Sequence, residues 1–389
     1  MPIKTRIATP TAAIGELPLA QRQIPALESS IAGFAGLAPV GPLDRAVRVD
    51  SWDAFAAAFA DPARPQAGPY LPGAKLAHSV RGFFRNGGRT CWVARVGGVP
   101  GASTVADHLE GLRLLTGLDE PSVIALPDAY GVATGAEGAR AIQHELVASC
   151  ERVVGRLVIV DPPPGLDPAG ALAWRSASRI DSGGAAAYYP WIETLDPAEG
   201  ATVAIPPCGH AAGLWARVDS HIGLQRAPTS EALLAADGSA AALTGIQQHH
   251  LNRAGINCLR AWPGPELRVW GACTLSTDPE QRYLHRQRIV GHLVASIAQG
   301  TRWAADEPDD ERARESLRAT VTAFLAHAWR DGVLLGDSAA QAFFVRCDEA
   351  LADTVARSHG DLVLEIGLSV RHGGSFRVLR INHRPGFAP

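Results

Sequence analysis

Arg268-Val269-Trp270-Gly271-Ala272-Cys273-Thr274-Leu275-Ser276-Thr277-Asp278-Pro279-Glu280 joins two kinds of element. The segment around Trp270 reads as an exposed-edge strand. It runs into a helix start after Asp278, because proline is tolerated at the first helical position and Thr277-x-x-Glu280 offers a capping box. Val290, Leu293, Val294 and Ile297 then recur as an apolar helical stripe, with Arg282, Arg286 and Arg288 as a basic flank, and Gly300 stops the helix. A second helix starts near Asp309-Asp310, after Pro308. It carries Leu317, Val321, Phe324, Leu325 and Ala328 on one face and ends at Gly332. Acidic residues in its first turn suit the positive helix terminus.

Upstream the pattern is different. Residues 1–27 hold Pro2, Pro10, Pro18 and Pro25 with weak periodicity, which predicts an extended arm. Val47-Arg48-Val49 is a short strand, and Ser51 caps a helix carrying Trp52, Phe55 and Phe59. A helix over 74–84 ends at Asn86-Gly87-Gly88, residues that accept the positive φ of a helix C-cap. Strands at 91–96, 123–126, 157–160 and 185–189 alternate with helices at 137–152 and 172–180. That alternation predicts βαβ units and a mainly parallel sheet. Helices dominate after about residue 227, and the last strands are expected at 362–368 and 376–381. The fold class is mixed α/β: an α/β domain over 28–226, a second α+β domain over 227–374, and extended arms at 1–27 and 375–389.

Composition narrows the function. The 389 residues are 47% hydrophobic and 19% charged, with a net charge of −3. Such a chain builds a sizeable core and has no global attraction to nucleic acid or anionic membrane. The six cysteines are scattered without a CxxC pair, which favours free buried thiols. The N-terminus lacks a signal-peptide apolar run, and no run of about 18 apolar residues suggests a transmembrane helix. Folding in the cytoplasm, without direct membrane insertion, is the expectation.

Candidate chemistry is sparse. His144-Glu145-Leu146-Val147-Ala148 begins like a zinc-peptidase HExxH, but Ala148 stands where the second histidine is needed. His249 and His250 are adjacent, so on a helix they diverge by about 100° and cannot share an ion. The acidic run Asp306-Glu307-Pro308-Asp309-Asp310-Glu311 lacks the spaced oxygens and glycine of a calcium loop and reads as helix-start chemistry. Asp128 and Asp161 each follow a parallel strand, where α/β enzymes place metal or base groups. They are the best enzymatic candidates and define the alternative reading, a soluble metal- or nucleotide-dependent enzyme. No GxxxxGK[ST], GxGxxG or GxSxG occurs, so no cofactor is expected. No basic run interleaved with aromatics supports nucleic-acid binding.

An ordered series of segments resembles the contractile tail sheath family of myophages, R-type pyocins and extracellular contractile injection systems. It begins with Phe34-Ala35-Gly36-Leu37-Ala38-Pro39-Val40-Gly41-Pro42 and continues with Gly82-Phe83-Phe84-Arg85-Asn86-Gly87-Gly88-Arg89-Thr90-Cys91-Trp92-Val93. Val160-Asp161-Pro162-Pro163-Pro164-Gly165, Tyr188-Tyr189-Pro190-Trp191 and Ile205-Pro206-Pro207-Cys208-Gly209-His210-Ala211-Ala212-Gly213 follow. The series closes with Leu251-Asn252-Arg253-Ala254-Gly255-Ile256-Asn257, Arg268-Val269-Trp270-Gly271, Trp303 with Glu307-Pro308, and Phe343-Phe344-Val345-Arg346-Cys347-Asp348. The family's usual N-terminal P-G-V-Y-[VI]-E-E strand is absent.

The resemblance implies a structural, non-enzymatic subunit. Such subunits stack as hexameric rings in a helical tube around an inner tube, through heterologous contacts that do not close. Contraction would drive the inner tube through a target membrane by rigid-body repacking, without a nucleotide site. The implied partners are other copies of the chain, an inner tube protein, baseplate and terminal cap proteins, and sheath paralogues. The particle, a phage tail or a released phage-tail-like particle, would assemble in the bacterial cytoplasm. Domain 227–374 would be the tube-facing core, with Arg282, Arg286 and Arg288 as candidate inner-tube contacts. Phe376, Arg377, Val378, Leu379, Arg380 and Ile381 would form a strand exchanged between subunits.

Overall fold

The computed structural model describes residues 22–351, 361–371 and 375–384. Its central element is an eight-stranded sheet. The strands are β1 (Ala32–Leu37), β2 (Val47–Val49), β3 (Cys91–Val96), β4 (Val123–Ala125), β5 (Leu157–Val160) and β6 (Ala185–Tyr189). After β7 (Ile192–Asp196), β8 (Ala201–Ile205) and β9 (Gly238–Ser239), which form a small separate sheet, β10 (Ile256–Ala261) and β11 (Leu267–Trp270) complete it. The order is β11-β10-β6-β5-β4-β1-β3-β2, parallel except for the two outer strands.

The two-residue side-chain period of each strand divides the core in two. Phe34, Val93, Ala125, Ile159 and Tyr188 face one side and pack on three helices, α1 (Trp52–Phe59), α2 (Leu76–Arg85) and, beyond the intervening helices, Cys208–His221. Ala35, Val96, Ile124, Val158 and Ala187 face the other side and pack on α3 (Val105–Thr116) and α4 (Gly135–Glu151). There α5 (Pro168–Ser178) and, beyond α6 (Cys208–His221), α7 (Gly245–Arg253) extend the same layer over Tyr189 and Cys258.

The change of pattern near residue 227 does not coincide with the end of this sheet, since β10 pairs in parallel with β6 and β11 with β10. The α+β unit that follows consists of α8 (Leu284–Gly300), α9 (Glu311–Arg330), α10 (Ala339–Ala342) and the sheet β12 (Phe343–Arg346), β13 (Leu362–Leu368) and β14 (Arg377–His383). Its core includes Leu293, Ile297, Leu317, Val321, Leu364 and Ile366, and Ile24 joins it from the N-terminal side. The predicted N-terminal arm lies outside the described residues up to 21. Residues 22–30 run along α8, with the Leu27 amide donating to Ser296 Oγ at 3.2 Å.

The helix predicted at Asp278 starts later. The Thr277 amide donates to Asp181 Oδ1 at 2.8 Å and its hydroxyl to Oδ2, so Thr277 is held by another loop instead of capping Glu280. Residues 273–283 fold back as a hairpin-like loop, with the Thr274 amide on the Arg282 carbonyl at 2.8 Å and Cys273 bridged to Tyr283. Asp278 caps only a local turn through the Glu280 amide at 2.9 Å, and α8 begins at Leu284. Nor is β11 an open edge: residues 230–233 cover it through Ser230, Leu233 and Val269 amide bonds of 2.7 to 3.0 Å.

Candidate assembly interface

The two aspartates that suggested an enzyme both sit against helix starts. In an open parallel sheet, ligands bind where strand order reverses, beyond the carboxyl ends of the two central strands. Here that point lies between β1 and β4, next to the N-terminus of α2. Asp128 fills it. Its Oδ2 accepts from the Leu37 amide at 2.8 Å and its Oδ1 from the Lys75 amide at 2.5 Å. The place where a phosphate would sit on a helix N-terminus therefore holds a carboxylate of the chain itself. Asp128 is 2% exposed, and burial pushes its pKa up to about 6 against the pull of those amides.

Asp161 lies at the end of β5, beside the start of α6. Burial raises its pKa to about 7, opposed by hydrogen bonds from Cys208. Its Oδ1 has no partner, and its carbonyl accepts from Gln143 Nε2 at 2.6 Å. Among the described residues no cluster of three or more His, Cys, Asp or Glu side chains could hold a metal ion. His144 is exposed on α4, Glu145 pairs with Arg152, and the exposed His249 and His250 rings sit 6.0 Å apart. In the acidic run, Asp310 Oδ1 accepts from the Ala313 amide at 2.8 Å and so caps α9. No described helix is long and apolar enough to cross a membrane. All six cysteines are free thiols, five of them buried.

The quoted motifs turn out to be contact surfaces for one another. Segments 82–88 and 205–213 form a helix crossing. A Cβ on Gly209 would lie 2.1 Å from the Ser79 carbonyl oxygen, and one on Gly213 2.3 Å from that of Phe83. Segments 251–257 and 268–275 form a second lock. Asn257 accepts from the Cys273 amide at 2.7 Å and donates to the Cys273 carbonyl at 2.9 Å. Gly255, at φ +89°, passes so close to the Thr274 carbonyl that a Cβ would lie 2.7 Å from it.

The three arginines predicted as one basic flank have three different fates. Arg282 precedes α8 and donates to the Asn252 and Arg253 carbonyls, both at 3.0 Å. Arg286 is half-buried, its guanidinium 4.5 Å from the Tyr283 ring centre. Arg288 points inward at 3% exposure, paired with Asp219 and 5.0 Å from the Trp215 ring. The same Asp219 carboxylate accepts from Ser29 Oγ at 2.7 Å and Ser30 Oγ at 2.5 Å. This inward knot carried one sequence signal, a lone carboxylate following Trp215 on a largely apolar helix.

The predicted exchange strand is β14, an edge strand pairing antiparallel with β13 along its whole length. Phe376 lies just before it, edge-on to Phe344 at 5.2 Å. The arginines of β14 lie on both faces of the strand. Arg377 shares the inner face with Leu379 and Ile381 and donates to Gln287 Oε1 at 2.7 Å. Val378 and Arg380 face out. Opposite Arg380 stands the buried Glu365, a lone carboxylate in the apolar strand Leu362–Leu368, which sequence reasoning passed over.

The phage tail sheath protein central domain, as a family model, matches residues 101–275. A Pseudomonas aeruginosa (strain UCBPP-PA14) protein named as a prophage major tail sheath protein is 24% identical over 248 residues, 62% of each chain. The tail sheath protein of Burkholderia phage BcepMu is 28% identical over 197 residues, 47% of this chain and 41% of its own. The chain thus spans less than two-thirds of the length of these curated relatives. In fold it is similar to a subunit of the anti-feeding prophage helical sheath in its contracted state. That match has a TM-score of 0.74 at 22% identity and covers 97% of this chain and 99% of the other. Over its central region, which holds one side of the first motif pair and both sides of the second, the chain is thus similar to phage tail sheath proteins.

Proposed function

We propose that this chain is a subunit of a contractile sheath, in a phage tail or a phage-tail-like injection particle. In this reading copies polymerise helically around an inner tube and contract to drive it through a target membrane. Baseplate and terminal cap proteins bound the tube, and the particle assembles in the bacterial cytoplasm. The observation that carries the reading is the match to the sheath central domain over residues 101–275. The Asp128 plug supports it from the other side, because the crevice an α/β enzyme would use is occupied by hydrogen bonds internal to the fold.

Strand exchange through β14 and docking of α8 on the inner tube are the finer parts of the proposal. The edge position of β14 favours the first. For the second, Arg286 is the best-placed cation, since Arg288 is spent on Asp219 and Arg282 on backbone carbonyls. Purified full-length chain in negative stain should form tubes or ring polymers. A compact monomer or dimer that binds a nucleotide or a metal ion would instead favour the enzyme built on Asp128 and Asp161. Arg286→Glu should impair assembly templated by the inner tube, and full-length particles from that variant would remove α8 as the docking helix.

A further inference from the structure

The seat of β14 is charged in a specific pattern. On the outer face of the three-stranded sheet, β13 presents Glu365, and the preceding residue Asp361 continues the same face. Both are buried, at 7% and 2% exposure. Glu365 is crossed by a guanidinium from each side: Arg346 of β12 at 3.2 Å and Arg380 of β14 at 2.9 Å. Asp361 pairs with Arg384, the residue after β14, at 3.3 Å through two nitrogens. A buried carboxylate without a counter-charge is costly, so the seat selects a strand with arginines four residues apart.

Rung spacing turns this pattern into a register key. A slip of one residue would turn Leu379 and Ile381 out of the core. A slip of two keeps the faces but sets Asn382 or Val378 against Glu365, and both acid–arginine rungs are lost together. A slip of four recovers one rung only, and puts His383 or Arg377 where Leu379 or Ile381 belongs. The observed register alone satisfies both rungs and the apolar face.

We propose that the Arg346–Glu365–Arg380 rung is the specificity determinant of inter-subunit strand exchange: it admits the C-terminal strand of a second copy of this chain in one register and rejects strands of different charge pattern. This rests on the reading of β14 as an exchanged strand. The rung can be inverted within one chain by Arg346→Glu, Glu365→Arg and Arg380→Glu together. Differently tagged parent and inverted chains are purified, polymerised alone and mixed, and read by sedimentation, pull-down and negative stain, with circular dichroism melting as the folding control.

Arg380→Glu alone sets like charges opposite each other and should cut pelletable polymer by about tenfold. The inverted trio should polymerise with itself yet co-assemble with parent chain about tenfold below chance. If folded Arg380→Glu polymerises like the parent, or the folded trio stays monomeric, the rung is not the determinant. Should Arg380→Glu fail to fold, Arg380→Gln takes its place, and normal polymer from it overturns the proposal equally. Free mixing of trio and parent, with Arg380→Glu still defective, means that each chain keeps its own strand. That outcome overturns the exchange reading itself and leaves the rung as an internal register contact.

Discussion

Gly209→Ala isolates the helix crossing that joins two of the sequence motifs. In an unconstrained helix the substitution stabilises by about 1 kcal/mol, because alanine loses less backbone entropy. Here the new Cβ would lie 2.1 Å from the Ser79 carbonyl oxygen and 2.5 Å from its Cα and carbonyl carbon, all backbone atoms of α2. No side-chain rotation relieves that contact. The α2 and α6 backbones must separate by about 1 Å, and a gap of that size forfeits a quarter to a half of each dispersion contact along the seam. Phe83, Cys208, Ala212 and Leu214 are among the buried residues there. Overpacking of this kind costs about 3 to 4 kcal/mol at its upper end, so the net loss should be about 2 to 3 kcal/mol. For a chain of this length that corresponds to a fall of about 2 to 4 °C in Tm, read by calorimetry or circular dichroism. Gly245→Ala, at the start of α7 with its nearest neighbour 3.7 Å away, is the matched control and should leave Tm unchanged or slightly raised. If Gly209→Ala melts within 1 °C of the parent while Gly245→Ala behaves as expected, the crossing is not the tight constraint argued for it.

Three further outcomes follow from the buried charges. Asp128→Ala strands the Leu37 and Lys75 amides and should cost about 2 to 4 kcal/mol by urea unfolding; an unchanged midpoint would mean that water replaces the carboxylate. Asp161 has its pKa raised from 3.8 to about 7, so the folded state keeps a proton that the unfolded chain has released. Its favourable contribution is complete below about pH 4 and is lost as pH rises through 7. Asp161→Asn should therefore match the parent near pH 4 and exceed it by about 2 to 4 kcal/mol at pH 8. The lowered histidines His210 and His292 act in the opposite sense but are common to both proteins. A pH-independent difference would contradict the assignment. Asp219→Ala leaves Arg288 buried without its counter-charge and should cost about 3 to 5 kcal/mol, most of it recovered by adding Arg288→Met; equal losses in the single and double variants would refute the pairing.

Much of the sheet was legible because each strand is a short β-branched or apolar run bounded by turn residues. Cys91–Val96 and Leu157–Val160 are both such runs, and both are buried strands. What stayed hidden depended on distant partners. Thr277 and Asp278 carry good capping chemistry, but Asp181, far off in sequence, takes the Thr277 groups first. Arg288 looks like a surface cation on a helical wheel until Asp219 of another helix is placed beside it. The run of helices after residue 227 obscured β10, since parallel pairing with β6 leaves no local trace. The glycines of 205–213 were legible as a motif; only the crossing with α2 gives the reason for them.

The Arg288–Asp219 knot has a mechanical meaning. Ser29 and Ser30, shortly before the sheet begins at Ala32, hold the same carboxylate that holds α8. A pull on the chain's N-terminal end therefore meets α6 and α8 before it can peel β1 from its neighbours. A buried ion pair with hydroxyl donors has a short reach: displaced by a few ångströms it stops holding, where an apolar contact would yield by degrees. It behaves as a rivet more than a spring, so tension entering at Ser29 is passed on to two helices as a rigid step.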